Sequence, residues 1–93
     1  MLGRMAHLMS SNAGDRLVYE LVLETQRFGN ALKDGTYALP LSEKDLGARA
    51  GLTRETISRE LHKLKEAGLV DVQSKDILIK DIGALKQRLG LVD

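Results

Sequence analysis

Two short helical patterns meet at Gly51-Leu52, and this step limits the folds open to the chain more than any other feature. Ser42 suits a helix N-cap, and Asp45 three residues on approximates a capping box with Asp in place of Glu. The helix it starts spans about 43–50 and is broken by Gly51. Thr53 then caps a second helix, about 54–67, and Gly68 stops it. Two helices packed at an angle need an apolar contact, a small residue where they approach, and a glycine for the turn. Leu46, Gly47 and Gly51 supply these, Ala50 ends the first helix, and Leu52 and Ile57 plug the angle between them.

After Gly68 the apolar period changes from helical to alternating. Leu69, Val70 and Val72 form one strand, and Ile77, Leu78 and Ile79 another. Gln73-Ser74-Lys75-Asp76 joins them, so the segment reads as a hairpin, with no Asn-Gly or Asp-Gly to fix the turn type. Upstream, Leu17, Leu21 and Thr25, widened by Val18 and Val22, mark a helix over about 13–27. Residues 30–35 are polar and turn-rich. Residues 36–41 are extended, and Pro40 makes them an edge strand or a lead-in. Residues 82–89 suit a last short helix. Leu2, Met5, Leu8 and Met9 recur at helical spacing and read as the end of a helix that starts earlier. The expected fold is mainly α with a small antiparallel β-hairpin, a winged helix-turn-helix. The expected division is a helix end at 1–12 and the domain proper at 13–93.

Composition narrows the chemistry. The 93 residues suit one domain, and the absence of cysteine removes disulfides, thiolate metal sites and thiol catalysis. Aromatics are confined to Tyr19, Phe28 and Tyr37, so Leu, Ile, Val and Ala must build the core. No apolar run approaches the roughly 20 residues of a membrane span, and the first ten residues are too polar for a secretory signal, so a cytoplasmic location is expected. His7 and His62 have no evident partners, and no metal-ligand spacing or Gly-rich phosphate loop argues for an enzyme. Net charge is only +1, which does not by itself announce nucleic acid. Between Ser42 and Lys65, however, six basic residues face four acidic ones, and a bound polyanion responds to the local field.

At ~100° per residue, Ile57, Leu61, Leu64 and Ala67 share the core side of the second helix of the pair. Glu55, Ser58, Arg59 and His62 lie opposite, with Arg54 at the helix start. Guanidinium, carboxylate and hydroxyl groups side by side can read base edges. Arginine donates two bonds to guanine O6 and N7, and a carboxylate accepts from cytosine N4. Arg54, Glu55, Ser58 and Arg59 are therefore the candidate base readers, and Glu55 and Arg59 are spaced to pair with each other. On a solvated helix such a pair is usually only stabilising; the surrounding helix-turn-helix favours recognition. His62 fits an ordinary surface position. Ser42 and Thr53 at helix starts, Thr56 beside them, and Lys75 at the hairpin tip are candidates for phosphate contact, although capping alone also accounts for Ser42 and Thr53.

The stretches Leu39-Pro40-Leu41-Ser42-Glu43-Lys44-Asp45-Leu46-Gly47, Gly51-Leu52-Thr53-Arg54-Glu55-Thr56-Ile57-Ser58-Arg59-Glu60-Leu61 and Gly68-Leu69-Val70 closely resemble the C-terminal domain of Crp/Fnr transcription regulators. The resemblance covers roughly residues 13–89. It implies a homodimer on near-palindromic double-stranded DNA, with 1–12 ending the dimerisation helix. Arg54, Glu55 and Arg59 match the base-reading trio of the cyclic-AMP receptor branch; Glu55, Ser58 and Arg59 match that of the fumarate-nitrate branch. Both imply a half-site with a TGA core and Arg59 on its guanine. Ser42, Thr53, Thr56, Gln73 and Lys75 fall where the family contacts phosphates. A loop at 30–36 lies where activators of the family touch RNA polymerase. The family's effector-binding β-barrel has no counterpart in these residues, so no cofactor is expected in this chain, which reads as a fragment. Glu60 departs from the aliphatic residue common at its place, leaving the packing to Leu61 and Leu64. The competing reading is a winged-helix protein-interaction module without DNA binding.

Overall fold

The computed structural model describes residues 13–32 and 34–90, and the expected dimer-helix end at 1–12 lies outside them. Helix α1 spans Ala13–Phe28 and is followed by strands β1 (Asn30–Ala31) and β2 (Tyr37–Leu39). Helices α2 (Glu43–Ala50) and α3 (Arg54–Glu66) come next. Strands β3 (Val70–Val72) and β4 (Ile77–Ile79) and helix α4 (Ile82–Arg88) complete the order.

Helix α1 buries Leu17, Val18, Leu21 and Val22, the stripe its periodicity predicts. These side chains meet Leu46 of α2, Ile57, Leu61 and Leu64 of α3, and Leu85 of α4 in one core. Ala67, expected on that core side, is exposed, because it lies past the last turn of α3.

The sheet is larger than the expected hairpin. All its pairs are antiparallel, and its order is β1-β2-β4-β3. Leu39 stands opposite Ile77, which stands opposite Val72; Tyr37 stands opposite Ile79, which stands opposite Val70. Side chains alternate between faces along a strand, so this register turns Leu39, Val70, Ile77 and Ile79 into the core together. Strand β2 is therefore interior, not an edge. Pro40 falls just beyond it, where the Leu41 N–H donates back to the Leu39 carbonyl at 2.8 Å. The missing proline donor thus costs the ladder nothing.

Residues 73–76 form the hairpin loop, closed by Gln73 N–H donating to Asp76 O at 2.9 Å. Among the described residues no non-glycine has a positive φ, which excludes a type I′ turn at Ser74-Lys75.

Candidate nucleic-acid interface

The turn between α2 and α3 is built from the residues the sequence nominated. Gly51 sits at φ 69°, where a side chain is strained, and the N–H of Leu52 bonds to Gly47 O at 3.0 Å. A Cβ on Gly47 would lie 3.3 Å from both Ile57 Cγ1 and Leu52 O, so glycine permits the close approach of the helices. Ile57 and Leu46 are fully buried and Leu52 packs against the core, which fixes the angle at which α3 projects.

Both helix starts are capped by side chains. Ser42 Oγ accepts from Asp45 N–H at 3.2 Å, and Thr53 Oγ1 accepts from Thr56 N–H at 3.2 Å. The Asp45 carboxylate accepts from the Ser42 hydroxyl at 3.0 Å, so the capping box is not the reciprocal backbone form. Thr53 donates its hydroxyl hydrogen to Thr56 Oγ1 at 2.9 Å. A phosphate needs donors. The Ser42 and Thr53 hydrogens are thus engaged inside the protein, and the Thr56 hydroxyl hydrogen is the one left for an outside acceptor.

Arg54, Glu55, Ser58 and Arg59 are all exposed on α3 and share one open face of the helix with His62 and Lys63. The fold brings the four predicted base readers together. It also adds His62, which the sequence places as an ordinary surface residue, and Lys63, which the sequence does not single out. Their signal is present, since they follow Ser58 and Arg59 by one helical turn. One local contact differs from expectation. Arg59 approaches Glu60, Nε to Oε2 3.8 Å, and not Glu55; the same Glu60 oxygen receives Lys63 Nζ at 3.2 Å. The Glu60 side chain is only 14% exposed, so it anchors both cations beside the core residues Leu61 and Leu64. Ser58 Oγ donates to Glu43 Oε1 on α2 at 2.9 Å. Gln73 and Lys75 are exposed on the hairpin loop and are not part of that α3 face.

Behind this face, α1 grips α2 at two points. Arg16 Nη2 donates to the Ala50 carbonyl at 2.9 Å, at the C-terminal end of α2. Arg49 reaches back to Glu24, Nη1 to Oε1 3.2 Å and to Oε2 3.4 Å; Glu24 is 2% exposed. One turn earlier, burial, a hydrogen bond to Glu24 and its charge push the Glu20 carboxyl up to about 7, against the pull of Arg49 and Arg27. In the loop before β2, Asp34 Oδ1 accepts from Thr36 N–H at 3.1 Å, and hydrogen bonding from Thr36 holds the Asp34 carboxyl below its usual range.

The family model described as the Crp-like helix-turn-helix domain matches residues 4–88. The chain belongs to this family. Among relatives of the Crp-like domain, it is 37% identical over 75 residues to electron transport regulator A of Shewanella oneidensis, covering 80% of this chain and 30% of that protein. It is 33% identical over 84 residues to the fumarate and nitrate reduction regulatory protein of Escherichia coli K12, covering 89% of this chain and 34% of that protein. The chain thus spans about a third of the length of these curated relatives. Among solved structures, oxidised CprK in complex with o-chlorophenolacetic acid superposes with a TM-score of 0.74 at 27% identity, over 88% of this chain and 35% of that one. A CRP/FNR-family transcriptional regulator of Thermus thermophilus gives 0.81 at 20% identity, over 96% and 46%, a likeness of fold. The winged helix-turn-helix architecture is therefore that of the Crp-like domain.

Proposed function

We propose that this Crp-like domain is the DNA-reading part of a transcription regulator, with α3 in the major groove of a TGA-containing half-site. The observation that carries the reading is the shared exposed face of Arg54, Glu55, Ser58 and Arg59 at the N-terminal half of α3. Recognition helices meet base edges with their N-terminal residues. Arg59 is assigned to a guanine, Glu55 to a cytosine amino group, and Arg54 and Ser58 to neighbouring positions. Thr56, Gln73 and Lys75 are assigned to phosphates, with Ser42 and Thr53 offering helix-start N–H groups.

The rest of the reading rests on the resemblance to Crp/Fnr regulators. It is a binding module and not an enzyme, acting as a homodimer on a palindrome in the cytoplasm, and its 30–36 loop is a place for RNA polymerase. Any effector would bind outside this chain, which needs no cofactor of its own. Among the described residues no helix is long and apolar enough to cross a membrane.

The test is a mobility-shift titration with a palindromic TGA duplex and a scrambled one at several salt concentrations. Specific binding that weakens as salt rises is the expected result, because neutralised phosphates release counterions. Equal affinity for both duplexes would overturn sequence reading, and no binding to either would favour the protein-interaction module.

A further inference from the structure

The hydrogen bond between Ser58 and Glu43 has a direction, and the direction bears on what Ser58 can recognise. The two residues lie fifteen positions apart and on different helices. Ser58 Oγ lies 2.9 Å from Glu43 Oε1. A carboxylate accepts hydrogen bonds and has none to give. The single hydroxyl hydrogen of Ser58 is therefore turned toward α2. What the exposed Ser58 presents outward is oxygen lone pairs.

Base edges in the major groove differ in this respect. Adenine N6 and cytosine N4 donate; thymine O4 and guanine O6 and N7 accept. A free serine hydroxyl serves either kind, because it carries a donor and two acceptor sites and rotates. A serine whose hydrogen is engaged serves only the donors.

We propose that Glu43 is a specificity-determining positioning residue, which holds Ser58 as a pure acceptor and so restricts it to adenine or cytosine on the strand it faces. This rests on the DNA-reading function proposed above. Glu43 itself touches no base in this scheme. It sits in the first turn of α2, where a negative charge is favourable, so its place is compatible with the helix as well.

The test is a set of fluorescence-anisotropy titrations of the chain against duplexes carrying each of the four base pairs at each half-site position. The proteins are wild type, Ser58→Ala, Glu43→Ala, Glu43→Gln and the Ser58→Ala/Glu43→Ala double variant. Ser58→Ala is expected to flatten one position, at which wild type prefers adenine or cytosine roughly fivefold, the size of one hydrogen bond. Glu43→Ala loses that preference and keeps those at every other position, which also reports that it is folded. Glu43→Gln keeps it, because the amide oxygen accepts the same hydrogen. The double variant matches Ser58→Ala. The assignment to Glu43 is overturned if Glu43→Ala retains the wild-type preference, or if Glu43→Gln behaves as Glu43→Ala, which would make charge the cause. It is equally overturned if Ser58→Ala flattens no position, or if a duplex whose adenine or cytosine at that position lacks the exocyclic amino group binds wild type as tightly as the intact one. A wild type that distinguishes no duplex from any other overturns the DNA-reading function itself, a result separate from all of these.

Discussion

Arg16, in the first turns of α1, donates from its guanidinium to the carbonyl of Ala50 at 2.9 Å and so closes the C-terminal end of α2 from thirty-four residues away. The last carbonyls of a helix lack partners within it, and a cation is favourable at that end. Gly51 O lies 3.4 Å from the same nitrogen. Arg16 therefore couples α1 to the turn that aims α3.

Replacing Arg16 by Ala is expected to lower stability by about 1 kcal/mol, the scale of an exposed hydrogen bond from a charged group. In a domain this size that is a fall of roughly 4–8 °C in Tm by thermal denaturation. An unchanged Tm would mean that solvent replaces the guanidinium at no cost.

Gly51→Ala places a Cβ at φ 69° and 3.0 Å from Arg16 Nη2. Left-handed backbone costs about 1–2 kcal/mol for a residue with a side chain, and urea unfolding should show a loss of that order. Gly35 has φ 83° with open space around its Cβ, so Gly35→Ala isolates the backbone cost from the contact with Arg16.

Thr25 Oγ1 is buried with no hydrogen-bond partner. An unmatched hydroxyl carries a desolvation penalty that an apolar group of the same shape avoids. Thr25→Val should therefore keep or raise Tm. A clear drop would indicate that the hydroxyl has a partner after all.

Glu20 predicts an acid-side gain in stability. Its folded value of about 7 lies above its ordinary 4.5, so between these pH values the folded chain holds more protons than the unfolded one. Stability from this group is fully present below about 4.5 and is lost as pH rises through about 7. Glu20→Gln removes the titration. Urea midpoints for the variant and wild type should diverge from pH 5 to pH 8, with the variant gaining; parallel profiles would remove Glu20 as the cause.

Arg59→Ala should lose about 1–3 kcal/mol of discrimination at one base pair of the half-site. Lys75→Ala should weaken all sequences alike and reduce the salt dependence by about one counterion. Binding of every site variant by Arg59→Ala just as by wild type would remove Arg59 as a base reader.

The helices and the exposed face of α3 were legible because they depend on spacing within one segment. Caps, the Gly51 turn and the stripe of Ile57, Leu61 and Leu64 all follow from residues a few positions apart. What escaped was set by long-range pairing. Asn30 and Ala31 carry no strand pattern, and they are paired because β2 offers them an edge. Strand β2 is interior because β4, not β1 alone, lies beside it. Likewise the choice of Glu60 over Glu55 by Arg59, and the reach of Ser58 to Glu43, depend on side-chain direction and helix crossing, which periodicity does not encode.

The interior position of β2 also bears on how the chain assembles itself. Pairing Leu39 with Ile77 closes a loop of about 38 residues, and α2 and α3 both lie within it. The helix pair can form locally and early, whereas the sheet must wait for the hairpin to return to a strand laid down before the helices. A nascent chain halted at Gly68 would hold α3 with Leu39 still lacking Ile77 as its cross-strand neighbour. The order of synthesis thus delivers the hairpin after the helix pair, and α4 brings the core residue Leu85 later still.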